Sequence, residues 1–243
     1  MPSLLQPFCS VPAHQTKSAD FRAPITIADA VNADRTEIYA LRHRVYALEL
    51  GQHAADSSQQ LSDALDAYNF YLKACVDGRI AGFVSITPPG RRYSVDKYFQ
   101  RDAFPFTFDN RLYEVRLLTV LPAYRGSPIA VLLMYAALRW IEARGGSRIV
   151  AIGRREILSL YRKVGLQPLG RSTQSGAVTY DLLTGTVAEL RQLAEHRQDT
   201  LRRLAGQTGG SACHFFQLAR AITAEHFSKR SAKSSITSSV SKR

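Results

Sequence analysis

The chain has 243 residues, of which 45% are hydrophobic and 21% are charged, and this composition excludes a fibrous or largely disordered protein. A chain of this length fits one catalytic domain with extensions, because single domains commonly hold about 100–200 residues. The net charge is +12, and residues 191–243 supply +7 of it through 10 Lys and Arg against 3 Asp and Glu, an excess that suits nucleic acid, an anionic membrane, an acidic protein or a solvated surface.

The chain is predicted to begin with an arm, a strand and a helix. Residues 1–24 contain four prolines and little periodicity, which indicates a flexible or loosely docked arm. Residues 25–30 have the pattern of a strand. Residues 34–50 carry apolar side chains at helical spacing and end before Gly51, which predicts a helix.

The next predicted elements are strands. Residues 68–76 and 80–87 are rich in β-forming residues and flank Asp77-Gly78-Arg79, which predicts a hairpin. Residues 112–120 form a further apolar run. Polar side chains interrupt this run at Glu114 and Arg116, and these two positions are therefore of functional interest.

The best-defined helix follows a short turn. Ser127 can cap it, Pro128 suits its first position, and residues 129–140 place apolar side chains on one face before Gly145-Gly146. Three more elements follow in order: a strand at 148–152, a helix at 155–164 closed by Gly165, and a strand at 177–183. Strands and helices alternate, which indicates an α/β domain.

The C-terminal part is predicted to extend this domain. Residues 186–204 and 212–227 have helical patterns. Residues 228–243 are mostly Ser, Thr, Lys and Arg and cannot bury enough apolar surface to fold. We therefore divide the chain into a flexible arm at 1–24, a catalytic domain at 25–184, a C-terminal helical extension at 185–227 and a disordered, basic, Ser-rich tail at 228–243.

The cysteines and histidines indicate neither disulfides nor a metal site. Cys9, Cys75 and Cys213 form no CxxC pair, and the six histidines show no metal-ligand spacing. No apolar run reaches the roughly 18–20 residues needed to span a bilayer, and the N-terminus lacks the pattern of a signal peptide. We therefore expect a cytoplasmic protein without a transmembrane segment or a bound metal.

Residues 118–130 form a strand, a turn and a helix start, where free backbone N–H groups and the helix dipole favour an anion. Any helix after a strand begins in a similar way, so the pattern alone also fits a purely structural turn. Within it, Arg125-Gly126-Ser127-Pro128-Ile129-Ala130 resembles the donor-binding Q/R-x-x-G-x-G/A turn of GNAT acyltransferases. The resemblance implies that the acyl donor is bound by Leu118, Val120, Tyr124, Arg125, Gly126, Ser127, Ile129 and Ala130.

A second segment, Ser159-Leu160-Tyr161-Arg162-Lys163-Val164-Gly165-Leu166, resembles the Y-x-x-x-G-F helix end of the same family. The resemblance implies that Tyr161 protonates the departing thiolate. Helical spacing places Tyr161 on an inward face with Ile157 and Val164, and an inward tyrosine also suits a core position with one hydrogen bond. Catalytic acid and core residue are therefore both open for Tyr161.

Three further segments resemble the GNAT branch of acyl-homoserine-lactone synthases and N-acyl amino acid synthases. Arg42-His43-Arg44-Val45-Tyr46 with Glu49-Leu50-Gly51 is similar to that branch's R-x-x-V-[FY]-x-x-E-x-G helix, Asp63-Ala64-Leu65-Asp66 to its D-x-x-D, and Tyr113-Glu114-Val115-Arg116-Leu117 to its E-x-x-R-[FL] strand. The resemblance implies a GNAT-like α/β fold, with a mixed, mostly antiparallel central sheet flanked by helices and a C-terminal helical extension. It also implies an amine acceptor bound by Arg42, Tyr46, Asp63, Asp66 and Arg116.

Some of these positions have a second interpretation. Asp63 and Asp66 also fit a solvated helix turn or cap. Glu114, as a carboxylate in a central strand, could take a proton from an ammonium as the general base, or form a buried ion pair with Arg116 or Arg44. Ser85-Ile86-Thr87-Pro88 lacks the basic residue that lactone synthases carry there, which disfavours lactone synthesis.

The sequence therefore predicts an N-acyltransferase that moves an acyl group directly from a pantetheine thioester to an amine-bearing small molecule or peptide. The donor is acyl carrier protein or acyl-coenzyme A, with no tightly bound cofactor and with nucleic acid not expected as a partner. The alternatives are an acetyl-coenzyme A-dependent N-acetyltransferase and a non-catalytic GNAT-like module whose basic C-terminus contacts nucleic acid. Residues that could contact an acidic carrier protein are Arg91, Arg92, Arg125, Arg154, Arg155, Arg162 and Lys163.

Overall fold

The computed structural model describes residues 24–197 and 199–200. Its seven strands are β1 (Ile25–Asp29), β2 (Phe70–Val76), β3 (Arg79–Thr87), β4 (Leu112–Val120), β5 (Arg148–Arg154), β6 (Gln167–Ser175) and β7 (Val178–Thr186). Its α-helices are α1 (Asn32–Arg42), α2 (Ile129–Ala143), α3 (Leu158–Lys163) and α4 (Val187–His196). A π-helical segment, His43–Glu49, continues α1.

The strands form one sheet in the order β1-β2-β3-β4-β5-β7-β6. Only β4 and β5 are parallel, and every other neighbouring pair is antiparallel. The parallel pair follows from the connection, because α2 carries the chain back across the sheet between the two strands. The predicted fold class, a mixed and mostly antiparallel sheet flanked by helices, is confirmed.

The sheet is covered on both faces by apolar side chains. On one face α2 buries a stripe that includes Leu133, Ala137 and Ile141 against the strands. On the other face α1 packs Ile38 and Leu41 onto β2 and β3, and the long segment between β3 and β4 packs its aromatic side chains onto β4, β5 and β7. These two layers do not cover the ends of β4 and β5, and a functional site can lie there.

Two elements differ from the sequence prediction. The helix predicted at 34–50 changes from α to π geometry at His43, a difference that apolar spacing does not reveal because both forms bury one face. Strand β6 was not predicted, because it is an edge strand whose side chains are largely polar and exposed. Apolar alternation is weak in such a strand.

The C-terminal extension is described only in part. Helix α4 begins after Thr186, whose hydroxyl accepts the Glu189 N–H at 3.2 Å while Glu189 accepts the Thr186 N–H at 3.1 Å, a capping box. The predicted arm at 1–24 (apart from residue 24), the helix at 212–227 and the tail at 228–243 lie outside the described residues. Within the described part of the chain, no helix has the length and apolar character that crossing a bilayer requires.

Candidate active site

Strand β4 contains a β-bulge at Leu117 and Leu118. The pairing of β3 with β4 shifts register between Phe83 and Ser85, so these two β4 residues face the single β3 residue between them. Leu117 has a φ of +56°, a left-handed conformation that costs a residue with a side chain about 1–2 kcal/mol. Backbone strain inside a strand is typical of functional sites, which makes the bulge a candidate.

A gap opens between β4 and β5 beside this bulge. The two strands pair over residues 112–115 and 148–151, and among the described residues no pair joins them farther along. The gap leads into a cavity of about 280 Å³, which we call the β4–β5 cavity. Its wall is formed by Arg42, Tyr46, Gln52, His53, Leu61, Asp63, Leu65, Arg92, Tyr93, Ser94, Lys97, Tyr98, Arg116, Leu117, Leu118, Ile152, Arg154, Tyr161 and Tyr180.

Two arginines and two aspartates form a network in and behind this wall. Arg42, buried on α1, donates to Asp66 at 2.7 Å, to Asp63 at 3.0 Å and to the Tyr71 hydroxyl at 3.0 Å. Arg116 on β4 donates with both terminal nitrogens to Asp63. The network fixes α1 to β4 across the site, and it brings together four of the five predicted acceptor-binding residues, of which Asp66 lies behind the wall.

The two aspartates also have the capping role that the sequence left open. Asp63 accepts the Leu65 N–H at 2.9 Å, and Asp66 accepts the Asp63 N–H at 2.6 Å. Burial raises the pKa of Asp63, but the hydrogen bond and charge of Arg116 and the charge of Arg42 outweigh it, so the pKa lies below its ordinary value. Asp63 is therefore an ionised, partly exposed carboxylate in the cavity wall.

Two tyrosines of the cavity wall have hydroxyls that are hydrogen-bonded to other side chains. The Tyr46 hydroxyl is 3.0 Å from the Thr119 hydroxyl, which joins the π-helical segment to β4 beyond the bulge. The Tyr180 hydroxyl on β7 donates to Gln52 Oε1 at 2.6 Å. These contacts place Tyr46, the fifth predicted acceptor-binding residue, in the same wall as the arginine–aspartate network.

Tyr161 on α3 lies in the cavity wall and is almost fully buried. Burial raises the pKa of Tyr161, and neighbouring Tyr46 adds to the effect, while the backbone N–H of Arg154 opposes it. Its ring packs against Gly153 of β5, where an added Cβ atom would lie 2.4 Å from Tyr161 Cε2. The position of Tyr161 is compatible with both predicted roles, core residue and catalytic acid, because the ring is packed in the core while the residue lines the cavity.

Glu114 does not lie in the wall of the cavity, contrary to its expected role as general base. Its two carboxylate oxygens accept hydrogen bonds from the Thr87 hydroxyl at 3.2 Å, the Ser94 N–H at 2.8 Å, the Ser94 hydroxyl at 2.5 Å and the Val95 N–H at 2.9 Å. The expected ion pair with Arg116 or Arg44 is also not formed among the described residues. Glu114 instead anchors the segment after β3 to β4, which disagrees with its predicted role in proton transfer.

The predicted donor turn lies at the start of α2, next to the end of β4. Gly126 has a φ of +84° and open space where a Cβ atom would stand, so this turn favours glycine and is open to a ligand. The helix begins one residue later than predicted, with Pro128 at the N-cap position. Ser127 accepts the Ile129 N–H only at 3.4 Å, so the predicted serine cap is weak.

The donor-turn residues are divided between two places. Leu118 reaches the wall of the β4–β5 cavity, and the rest of the predicted set, Val120, Tyr124, Arg125, Gly126, Ser127, Ile129 and Ala130, lies outside the wall. Arg125 pairs with Glu49 at 2.6 Å, which joins the donor turn to the π-helical segment. A donor would therefore have to extend from the turn along β4 to the bulge.

Several wall residues were missed or given another role by the sequence. Gln52, His53, Lys97, Tyr98 and Tyr180 had no predicted role, because three of them lie in irregular segments and Lys97 lies in a single 3-10 turn, where no periodic pattern marks an inward side chain. Arg92 and Arg154, expected as contacts for a carrier protein, line the cavity instead. Arg155, another expected contact, pairs with Asp181 at 2.6 Å.

The wall offers charged and hydroxyl groups but no metal site. Within the described residues, no group of three or more His, Cys, Asp or Glu side chains could hold a metal ion. Cys75, the one cysteine in this part of the chain, is a free thiol on β2. The chemistry that the site can support is therefore binding, hydrogen bonding and proton transfer by side chains.

Comparison with known proteins gives one family. Residues 35–166 match the family described as "Acetyltransferase (GNAT) family", which is more than half of the chain. A search of curated proteins gives no match.

Solved structures share the fold at low sequence identity. A coenzyme A-dependent acyl-homoserine lactone synthase, BjaI, solved with SAM and isopentyl-CoA, is 20% identical with a TM-score of 0.60, and the match covers 72% of this chain and 89% of that one. A second such synthase, MesI, is 19% identical with a TM-score of 0.59 over 76% and 97% of the two chains. A putative N-acetyltransferase from Lactobacillus plantarum is 17% identical with a TM-score of 0.52 over 68% and 99%.

Proposed function

This chain belongs to the acetyltransferase (GNAT) family and is an N-acyltransferase, and on that premise we propose that it moves an acyl group from a pantetheine thioester to an amine of an amino acid, peptide or related small molecule. The observation that carries the proposal is the β4–β5 cavity, where the strained bulge of β4, the buried Tyr161 and a set of charged side chains meet. A non-catalytic binding module would have no need to combine these three features.

The donor is proposed to lie along β4, with its phosphate groups at the turn around Gly126 and its thioester at the bulge. The N–H groups at the start of α2 have no partner within the helix and favour phosphate. A backbone N–H at the bulge can hold the oxygen of the thioester carbonyl as negative charge develops on it. Tyr161 is proposed to protonate the departing sulfur, because the residue lies in the cavity wall and its hydroxyl carries a proton at neutral pH.

The acceptor is proposed to bind on the side of the cavity that faces α1 and the segment after β3. Arg42 and Arg116 are matched there by Asp63 and Asp66. Arg92 and Lys97 also line the wall and have no ion pair among the described residues. Unmatched cations attract an anionic group, which supports an acceptor that carries a carboxylate beside its amine.

The acyl group can be carried by coenzyme A or by an acyl carrier protein, and we propose that the donor is the acyl carrier protein. Pro128 removes an N–H from the turn, and only one glycine is present there, so the turn offers less to a coenzyme A diphosphate. The exposed basic side chains of Arg162 and Lys163 in the last turn of α3 would attract an acidic carrier protein. An acetyl-coenzyme A-dependent acetyltransferase is the second candidate, supported by the family match.

One experiment tests donor and acceptor together. The protein is incubated with acyl groups of several lengths, each on carrier protein and on coenzyme A, and with a pool of amino acids and peptides, and products are identified by mass spectrometry. We expect an N-acyl product whose kcat/KM is higher with the carrier protein and falls as salt rises. Equal values on both carriers would favour the coenzyme A candidate, and no amide product from any pair would refute the proposed function.

A further inference from the structure

The chain directly after the π-helical segment holds His53 in the wall of the β4–β5 cavity. The backbone N–H groups of Gln52 and His53 donate to the Tyr46 carbonyl oxygen at 2.9 and 3.3 Å. The Gln52 side chain donates to Ser175 Oγ at 3.2 Å and accepts from Tyr180 at 2.6 Å. The backbone that carries His53 is therefore fixed to α1's continuation on one side and to the β6–β7 hairpin on the other.

Acyl transfer to an amine needs a group that accepts a proton from nitrogen, and the wall offers few. Asp63 is hydrogen-bonded to Arg42 and Arg116, and its lowered pKa makes it a poor proton acceptor. The Tyr46 and Tyr180 hydroxyls already hydrogen-bond to protein groups. Neither ring nitrogen of His53 has a hydrogen-bond partner among the described residues, so its lone pair is available to a ligand.

The surroundings of His53 favour its neutral imidazole. Burial lowers the pKa of His53, and the positive charges of Lys97 and Arg42 lower it further, while Asp63 opposes them. Arg92, Tyr98 and Tyr180 line the same wall, and Asp63 is the one carboxylate among the residues of that wall. A histidine whose pKa lies below 6.5 is a base, not an acid, at neutral pH.

The same cations act on the acceptor. Positive charge in a confined cavity disfavours an ammonium ion and thus favours binding of the amine in its neutral, nucleophilic form. The nitrogen becomes strongly acidic only when its lone pair has attacked the carbonyl carbon and it carries positive charge. A neutral imidazole is suited to take the proton at that stage, because a base with a pKa near the working pH is the most efficient.

We propose that His53 is the general base of the acyl transfer, a role that rests on the proposed function. The amine lone pair forms the C–N bond as the carbonyl π pair moves to oxygen, and the nitrogen passes one proton to a His53 ring nitrogen. The oxyanion then re-forms the carbonyl, the C–S bond breaks, and sulfur takes a proton from Tyr161. Solvent removes the proton from His53 and restores that of Tyr161, so the reaction yields one amide and one thiol.

The test compares pH–rate profiles of the wild type, His53→Gln and His53→Ala with the best donor and acceptor pair. His196→Gln is the matched control, because His196 is an exposed histidine on α4 outside the cavity wall, with its ring 2.7 Å from the Gln192 carbonyl. We expect kcat to fall by about 10²-fold or more in both His53 variants, with loss of the acidic limb of the profile. Added imidazole should restore part of the activity of His53→Ala, which a purely structural role would not explain.

A second readout is independent of activity. NMR titration of the histidine rings, with His53→Gln used for assignment, should show His53 losing its proton at a pH below that of a free histidine. A His53→Gln variant with the kcat and acidic limb of the wild type, or a His53 ring that is protonated at pH 7, would overturn the proposal and leave the proposed function intact. Absence of amide product with the wild type would overturn both.

Discussion

Replacing Gly153 with alanine should displace the Tyr161 ring and slow catalysis much more than it destabilises the fold. An added Cβ atom would lie 2.4 Å from Tyr161 Cε2, 2.8 Å from Tyr161 Cδ2 and 2.6 Å from Leu183 Cδ1. Carbon atoms in contact are about 3.5–4.0 Å apart, so the ring must move by roughly 1 Å. A displacement of that size at a reacting group costs on the order of 10² in rate.

The assay measures kcat for amide formation and the free energy of unfolding in urea for the same protein samples. Overpacking of this kind typically destabilises by about 1–3 kcal/mol, which most domains survive. Gly185→Ala on β7 is the matched control, because its Cβ atom would lie 3.3 Å from Leu190 and outside the cavity. A Gly153→Ala variant with wild-type kcat would refute the reasoning that the position of the Tyr161 ring limits the reaction.

Three further changes have defined outcomes. Tyr161→Phe should lower kcat by about 10²-fold with little change in melting temperature, as for loss of a general acid, and unchanged turnover would return Tyr161 to a core role. Gly126→Val should raise the KM for the donor more than it lowers kcat, because its φ of +84° and its open surroundings suit glycine and a bound phosphate; an unaltered donor KM would remove this turn from the site. The pKa of Asp63 is lowered in the folded protein. Its contribution to stability is therefore complete above its unfolded value of 3.8 and is lost as the pH falls through the folded value. The free energy of unfolding, measured in urea from pH 2 to 7, should fall more steeply toward acid pH in the wild type than in Asp63→Asn.

The helices and most strands could be predicted because their apolar spacing is the physical cause of their burial. Helix α2 is the clearest case, since Leu133, Ala137 and Ile141 recur at helical spacing and all three are buried. Strand β6 could not be predicted in the same way, because an edge strand with polar side chains has no buried face to leave a pattern.

The residues that the sequence grouped and the structure brings together are those whose chemistry and sequence neighbours resemble a family motif. Arg42, Asp63, Arg116 and Tyr161 meet in the cavity wall although they come from α1, the segment before β2, β4 and α3 respectively. Glu114 shows the limit of that reasoning. A buried carboxylate between apolar residues has the same sequence pattern whether it transfers a proton or anchors a backbone segment, and only the four donor groups around it distinguish the two.

The features that the sequence could not indicate arise from backbone geometry. The bulge at Leu117 has no glycine to mark its positive φ. His53 lies in an irregular segment and Lys97 in a single 3-10 turn, so no periodic pattern places the two residues in the same cavity wall.

We propose above that the β4–β5 cavity transfers an acyl group directly to an amine with Tyr161 as the acid. The most direct measurement is the ratio of isotope-labelled amide to free thiol formed in single turnovers of wild type and Tyr161→Phe. We predict one amide for each thiol in both proteins, with the two products slowed together in the variant. Thiol release without amide, or amide formation that Tyr161→Phe leaves unchanged, would contradict the claim.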